Sequence, residues 1–184
     1  TNVPEWVLLQ FAAARMGAVL VNINPAYRPY ELEYVLKQSD SVALFLVDQF
    51  KTSNYFAMLA EICPEITHAK DGHVNSPRFP KLRNVVALKG TPPEGIPLWD
   101  AMVTAGEKIP QQQLDDLSRQ LQPGDPINIQ YTSGTTGFPK AATLSHRNLL
   151  LNAFYVGGCQ NFTEHDRLCI PVPFYHCFGC VLGT

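Results

Sequence analysis

The hydrophobic pattern of this chain changes period repeatedly, from about 3.6 residues to 2 and back, and that alternation restricts the fold more than any other feature. PEWVLLQFAAARMG is apolar almost all round, with only Glu5, Gln10 and Arg15 polar inside it, and predicts a buried helix. VLVNI follows as a short strand, and Asn24–Pro25 turns the chain. PYELEYVLKQS predicts a helix with Pro29 in its first turn and Leu32, Val35 and Leu36 on one face. VALFLV, from Val42 to Val47, is a continuous apolar run, as in a strand covered on both faces. Residues Gln49 to Ile62 read as a helix ended by Cys63–Pro64.

Beyond this the pattern loosens and then resumes. Ala69 to Pro80 is polar and loop-like, NVVAL is a strand, and Thr91 to Pro97 is a proline-rich surface excursion. LWDAMVTAG and QQQLDDLSRQL are short helices, the second stopping at Pro123–Gly124. INIQYT and KAATLS are strands on either side of a glycine-rich stretch. Ser145 is a good N-cap for the helix HRNLLLNAFYVG, and RLCIPV reads as a last strand. Strands alternating with helices mean an α/β fold, a layered, mostly parallel sheet flanked by helices. The expected division is a first α/β portion over 1–123 and a second over 124–184.

Composition closes off several function classes. With 46% hydrophobic and 16% charged residues the chain reads as folded rather than disordered. A net charge of -2 supplies no basic footprint, so no nucleic-acid partner is expected. No run reaches eighteen apolar residues, so no membrane-spanning helix is expected. The five cysteines are odd in number in a chain that is not small, which argues against a disulfide framework and for reduced intracellular thiols.

The stretch between the two late strands, TSGTTGFPK, carries the chemistry. A loop that follows a parallel strand lies at the carboxyl end of the sheet, where open α/β folds bind ligands. Gly134 and Gly137 permit close backbone approach, while Thr132, Ser133, Thr135 and Thr136 add small donors and Lys140 a positive charge. Together these suit a polyphosphate. The spacing is not that of a Walker A loop: Pro139 precedes the lysine and Ala141 follows it, so the loop leads into a strand instead of opening a helix. On the residues alone, a plain Gly/Thr-rich turn remains the alternative.

Read as a whole, YTSGTTGFPKAATLSH closely resembles the phosphate loop of the adenylate-forming superfamily, which includes acyl-CoA synthetases, aryl-CoA ligases, peptide-synthetase adenylation domains and firefly luciferase. The resemblance covers nearly the whole chain, from NVPEWVLLQFAAARMGAVLVNINPAYRPYELEYVLKQS through LSHRNLLLNA to PFYHCFG, which is similar to the family's Pro-x-x-His-x-x-Gly motif. Among subfamilies, FKTSNYF, ICPEI and DPINIQYTSGTTG most resemble medium-chain acyl-CoA ligases. The resemblance implies part of the large N-terminal domain of an ATP-dependent fatty acyl-CoA synthetase. In that chemistry a carboxylate and ATP give acyl-AMP and pyrophosphate, and coenzyme A then takes the acyl group as a thioester.

It also implies site residues. Thr132, Ser133, Gly134, Thr135, Thr136, Gly137, Phe138, Pro139 and Lys140 would hold the β- and γ-phosphates with Mg²⁺ nearby, Lys140 offsetting charge on the departing pyrophosphate. His176 would lie at the acyl pocket near the substrate carboxylate, the alternative being a histidine packed at a strand end. Phe174, Phe178 and Gly179 would line that pocket or belong to the core. His146 and Arg147 read as capping and surface residues. His176, Cys177 and Cys180 together suggest zinc or redox chemistry, but a structural zinc site wants four ligands and no second pair stands at suitable spacing, so no metal site is assigned. Ala141 stands where the family usually has glycine, at a cost of about 1 kcal/mol or more if φ > 0 is needed there.

The chain opens at Thr1 and closes on VLGT, and the expectation is a fragment without the C-terminal domain, inactive by itself. The family's Tyr-Gly-x-Thr-Glu segment, ribose-binding aspartate, hinge and C-terminal lysine are not found in it. Its small-molecule partners would be a fatty acid, ATP and coenzyme A. The compartment would be the cytoplasm for a bacterial source, with the mitochondrial matrix the option for a eukaryotic one. Oligomeric state and acyl length are not legible. An enzyme adenylating aryl or amino acids, and a nucleotide-binding module without chemistry, remain the rival readings.

Overall fold

The computed structural model describes residues 2–132 and 139–184 and divides the chain into two compact units, residues 1–24 with 111–184, and residues 25–110. The discontinuous unit begins with helix α1 (Pro4–Met16) and strand β1 (Leu20–Asn22). Pro4 opens the helix and Gly17 closes it in the left-handed region at φ 78. A side chain at Gly17 would also meet Leu121 Cδ2 at 2.8 Å.

The remaining elements among the described residues follow in chain order. The continuous unit holds helix α2 (Pro29–Gln38), strand β2 (Ala43–Val47), a small hairpin of β3 (Gln49–Phe50) and β4 (Ser53–Asn54), helix α3 (Tyr55–Ile62), a 3₁₀ turn (Pro64–His68), strand β5 (Asn84–Lys89) and helix α4 (Trp99–Gly106). The chain then re-enters the first unit with helix α5 (Gln111–Gln120), strands β6 (Pro126–Thr132) and β7 (Lys140–Ser145), helix α6 (His146–Cys159) and a π-helical turn (Phe178–Leu182).

In the continuous unit β2 and β5 pair in parallel, from Ala43 opposite Asn84 to Val47 opposite Lys89. Val35, Leu59, Ile66, Leu82 and Val85 are essentially sealed from solvent and form its core. In the discontinuous unit the strand order is β1-β6-β7. β1 runs parallel to β6, with Leu20 opposite Asn128 and Asn22 opposite Gln130. β6 and β7 form an antiparallel hairpin. α1 leans on α5, where Arg15 Nη2 meets Asp115 Oδ1 at 3.1 Å and the Ser118 hydroxyl donates to the Arg15 carbonyl at 2.9 Å. No helix among the described residues is long and apolar enough to cross a membrane.

The α/β class with parallel strand pairing is as expected, but three local expectations are corrected. α1 is not a buried helix: only Ala13 is buried, and Leu8 and Phe11 are each 58% exposed. Apolar residues surround that helix, yet only Ala13, in one row with Trp6 and Gln10, is fully buried. The helix expected from Gln49 starts only at Tyr55, because Gln49–Asn54 folds into the β3–β4 hairpin, with Lys51 at φ 53 and the Asn54 side chain accepting from Ala57 N–H at 2.9 Å. Residues 167–172 form no strand. Pro171 and Pro173 remove two backbone donors there, and the segment is held by side chains instead.

Candidate functional site: the β6–β7 hairpin and the turn after His176

β6 and β7 bring the two ends of the glycine-rich stretch together. Thr132 and Lys140 are partners in the last rung of the hairpin, and the Thr132 hydroxyl donates to the Lys140 carbonyl at 3.4 Å. Directly opposite residues share a face, so the hydroxyl and the lysine side chain stand side by side at the mouth of the loop. Both are exposed. Ser133, Gly134, Thr135, Thr136, Gly137 and Phe138 lie outside the described residues; Thr132, Pro139 and Lys140 lie within them. The loop returns as a strand and not as a helix, in keeping with the spacing argument against a Walker A loop.

Ala141 sits inside β7 opposite Tyr131, and its φ is not positive. Its methyl group therefore meets no left-handed requirement, and the cost feared for the missing glycine does not arise.

The second part of the site is the segment that ends in the π-helical turn. Asn2 clamps it at one end, donating from Nδ2 to the Val172 carbonyl at 2.9 Å and accepting from the Phe174 N–H at 2.8 Å. Trp6 packs against Phe174 with ring centroids 5.4 Å apart. His176 is exposed, and its Nδ1 accepts from the Phe178 N–H at 3.3 Å. Gly179 is buried against the Pro173–Phe174 backbone, and Phe178 is 48% exposed. Cys180 is buried, its N–H donating to the His176 carbonyl at 3.0 Å. Burial pushes the Cys180 thiol up to about 12, so it is held as a neutral thiol. Cys177 is exposed, and no group of three or more His, Cys, Asp or Glu among the described residues is placed to hold a metal ion.

The hairpin and the turn meet through a residue that pattern reasoning passed over. Gln130, buried on β6, donates from Nε2 to Cys180 Sγ at 3.1 Å and to Asn128 Oδ1 at 2.9 Å. The available signal was the polar residue at every second position of INIQYT, which marks one strand face as polar. Lys140 and His176 make no side-chain hydrogen bond to each other among the described residues. His146 and Arg147 open α6 behind the Ser145 cap, with their N–H groups on the carbonyls of Asp125 and Pro123.

The fold is α/β, with the Thr132 hydroxyl and Lys140 paired at the two ends of the glycine-rich stretch. The chain belongs to the AMP-binding enzyme family, whose model matches residues 1–184. The mitochondrial medium-chain acyl-CoA ligase ACSF2 of Danio rerio is 45% identical over 184 residues, covering 99% of this chain and 30% of its own length. The Homo sapiens protein of the same name is 45% identical over 190 residues, covering 100% and 30%. The crystal structure of ATP-bound MatB from Rhodopseudomonas palustris aligns over 99% of this chain and 30% of its own, with 25% identity and a TM-score of 0.63. The chain thus spans 30% of the length of these relatives.

Proposed function

We propose that this chain supplies the phosphate-binding hairpin and the acid-side turn of an ATP-dependent fatty acyl-CoA synthetase. The observation that carries the proposal is the Thr132–Lys140 rung, which closes a loop of hydroxyls and glycines with a lysine at its exit. The 45% identity to medium-chain acyl-CoA ligases supports the choice of a fatty acid. Those two relatives are mitochondrial by name; the mitochondrial matrix is accordingly proposed for a eukaryotic source, and the cytoplasm for a bacterial one.

In the proposed reaction a carboxylate oxygen attacks the α-phosphorus of ATP, the α–β bridging bond breaks, and pyrophosphate leaves. The thiol of coenzyme A then attacks the acyl carbon, loses its proton, and expels AMP. Backbone N–H groups and hydroxyls over 132–137 donate to the phosphates, and Lys140 offsets the charge that grows on pyrophosphate. Pro139 sets the exit of the loop. His176, on its own turn, orients the carboxylate or gates its entry. Mg²⁺ enters with the substrate ATP, and no step here depends on a protein site for it.

The test is acid-dependent ATP–pyrophosphate exchange by the full-length protein across fatty, aromatic and amino acids. Exchange that requires a fatty acid and collapses in Lys140→Ala supports the proposal. Preference for an aromatic or amino acid redirects the substrate class, and no exchange with any acid overturns the enzymatic reading. Residues 1–184 alone are expected to give no exchange, because they correspond to only 30% of the relatives' length.

A further inference from the structure

β6 buries polar side chains on the face that meets the rest of its unit. Asn22, Asn128 and Gln130 are all buried, and Asn22 Nδ2 lies 3.5 Å from the Asn128 Oδ1 that also accepts from Gln130. Packing alone does not ask for amides here, since an apolar side chain would fill the space without desolvating a polar group. What the amide adds is direction. Gln130 stands two residues before Thr132 on the same strand face, and its partner across the hairpin, Ala142, stands two residues after Lys140.

The other end of the contact is equally constrained. The Cys180 carbonyl accepts from Gln10 Nε2 at 3.0 Å and from the Thr184 hydroxyl at 2.8 Å, while its N–H holds the His176 carbonyl. Gln130 therefore grips a turn that is already fastened to α1. A buried thiol is a weak acceptor, so the bond fixes the angle and spacing of the two segments more than it adds binding strength.

We propose that Gln130 is a positioning residue for acid activation, using its bond to Cys180 to hold the phosphate hairpin in register with the His176 turn. The inference rests on the function proposed above, and it assigns Gln130 no contact with substrate. Displacement of either segment by about 1 Å would misalign carboxylate and α-phosphate and cost roughly 100-fold in rate while leaving each ligand able to bind.

The experiment uses the full-length protein with Gln130→Met, Cys180→Ala, Cys180→Ser and the Gln130→Met/Cys180→Ala pair. Pyrophosphate exchange is measured at saturating ATP and acid, beside equilibrium ATP binding and thermal unfolding. The expected result is a kcat lowered roughly 10- to 100-fold in Gln130→Met with ATP affinity held within about 2-fold. Cys180→Ser, which keeps an acceptor, should retain more kcat than Cys180→Ala, and the double variant should be no worse than Gln130→Met alone. Undiminished kcat in folded Gln130→Met overturns the inference. Should that variant not fold, undiminished kcat in Cys180→Ala overturns it, as would a loss that appears in ATP affinity instead of kcat. A wild-type protein that exchanges with no acid overturns the proposed function itself, an outcome separate from active wild type with unimpaired variants.

Discussion

Thr132 and Lys140 face each other across the last rung of the β6–β7 hairpin, and the threonine hydroxyl reaches the lysine carbonyl at 3.4 Å. The pairing places a hydroxyl and a cation at the two ends of the glycine-rich stretch. Removing the cation should therefore affect the reaction far more than the fold. Lys140→Ala is expected to lower pyrophosphate exchange by about 100- to 1,000-fold, as for loss of one preorganised charge-stabilising group. Because Lys140 is exposed, its thermal unfolding should match wild type within about 0.5 kcal/mol.

Ala141 should tolerate, and not welcome, the glycine usual in the family. The residue is extended in β7, so glycine relieves nothing and adds unfolded-chain entropy. Ala141→Gly is expected to be less stable by about 0.5–1 kcal/mol by denaturant titration, with unchanged exchange activity. A marked gain in turnover would show that the loop needs freedom this backbone does not display.

Gly179→Ala should be severe. An added Cβ would overlap the Pro173 carbonyl oxygen and lie 2.8 Å from its carbon and 2.9 Å from Phe174 Cα. The turn that carries His176 would have to move away from Trp6 and β6. A stability loss of about 1–3 kcal/mol is expected from overpacking, with a further loss of kcat at temperatures where the variant stays folded.

The thiols should divide by burial. Cys159, Cys169 and Cys177 are exposed, and Cys63 and Cys180 are buried. Burial pushes Cys63 up to about 11 and Cys180 up to about 12, against an ordinary 9.0. In a native-state alkylation time course the exposed three should react first. The sign of the pH effect follows: the folded chain keeps protons that the unfolded chain releases from pH 9.0 upward, so stability present below that pH falls as pH rises toward 11 and 12. Alkaline unfolding curves should flatten in Cys63→Ala and Cys180→Ala relative to wild type, beyond their constant loss of packing.

At acid pH one sensitive group is Glu33. Its carboxylate meets Lys37 Nζ and Arg78 Nη2 at 2.6 Å each, and the Lys37 bond first, then Arg78, holds it below the ordinary 4.5. A lowered folded value means stability present above 4.5 that disappears as pH falls through the folded value. Both cations are about half exposed, so Glu33→Gln should cost no more than ~1 kcal/mol at pH 7, and less as the pH is lowered through 4.5 and below.

Much of this protein follows from local chemistry and was legible in order along the chain. Periodicity placed β1, β2, β5, β6, β7 and helices α2, α4 and α5, Ser145 marked the start of α6, and Cys63–Pro64 ended α3. On its spacing alone TSGTTGFPK also reads as a plain Gly/Thr-rich turn; the resemblance of the whole string to the family's phosphate loop is what singles it out. The misjudged places are those where a distant partner decides. An apolar pattern marks α1 as packable but does not say how many of its faces find neighbours. An extended pattern over 167–172 becomes a strand only if another strand offers hydrogen bonds, and there Asn2 and Trp6 do the holding.

What the sequence by itself determined was most of the order of elements, the strand that follows the glycine-rich stretch and the family, since each is written in residues close together in the chain. Tertiary structure alone decided that Gln130 would meet Cys180, fifty residues away. The reason is physical: propensity and spacing act over a few residues, whereas a buried amide gains its partner only when folding brings remote segments to hydrogen-bond distance.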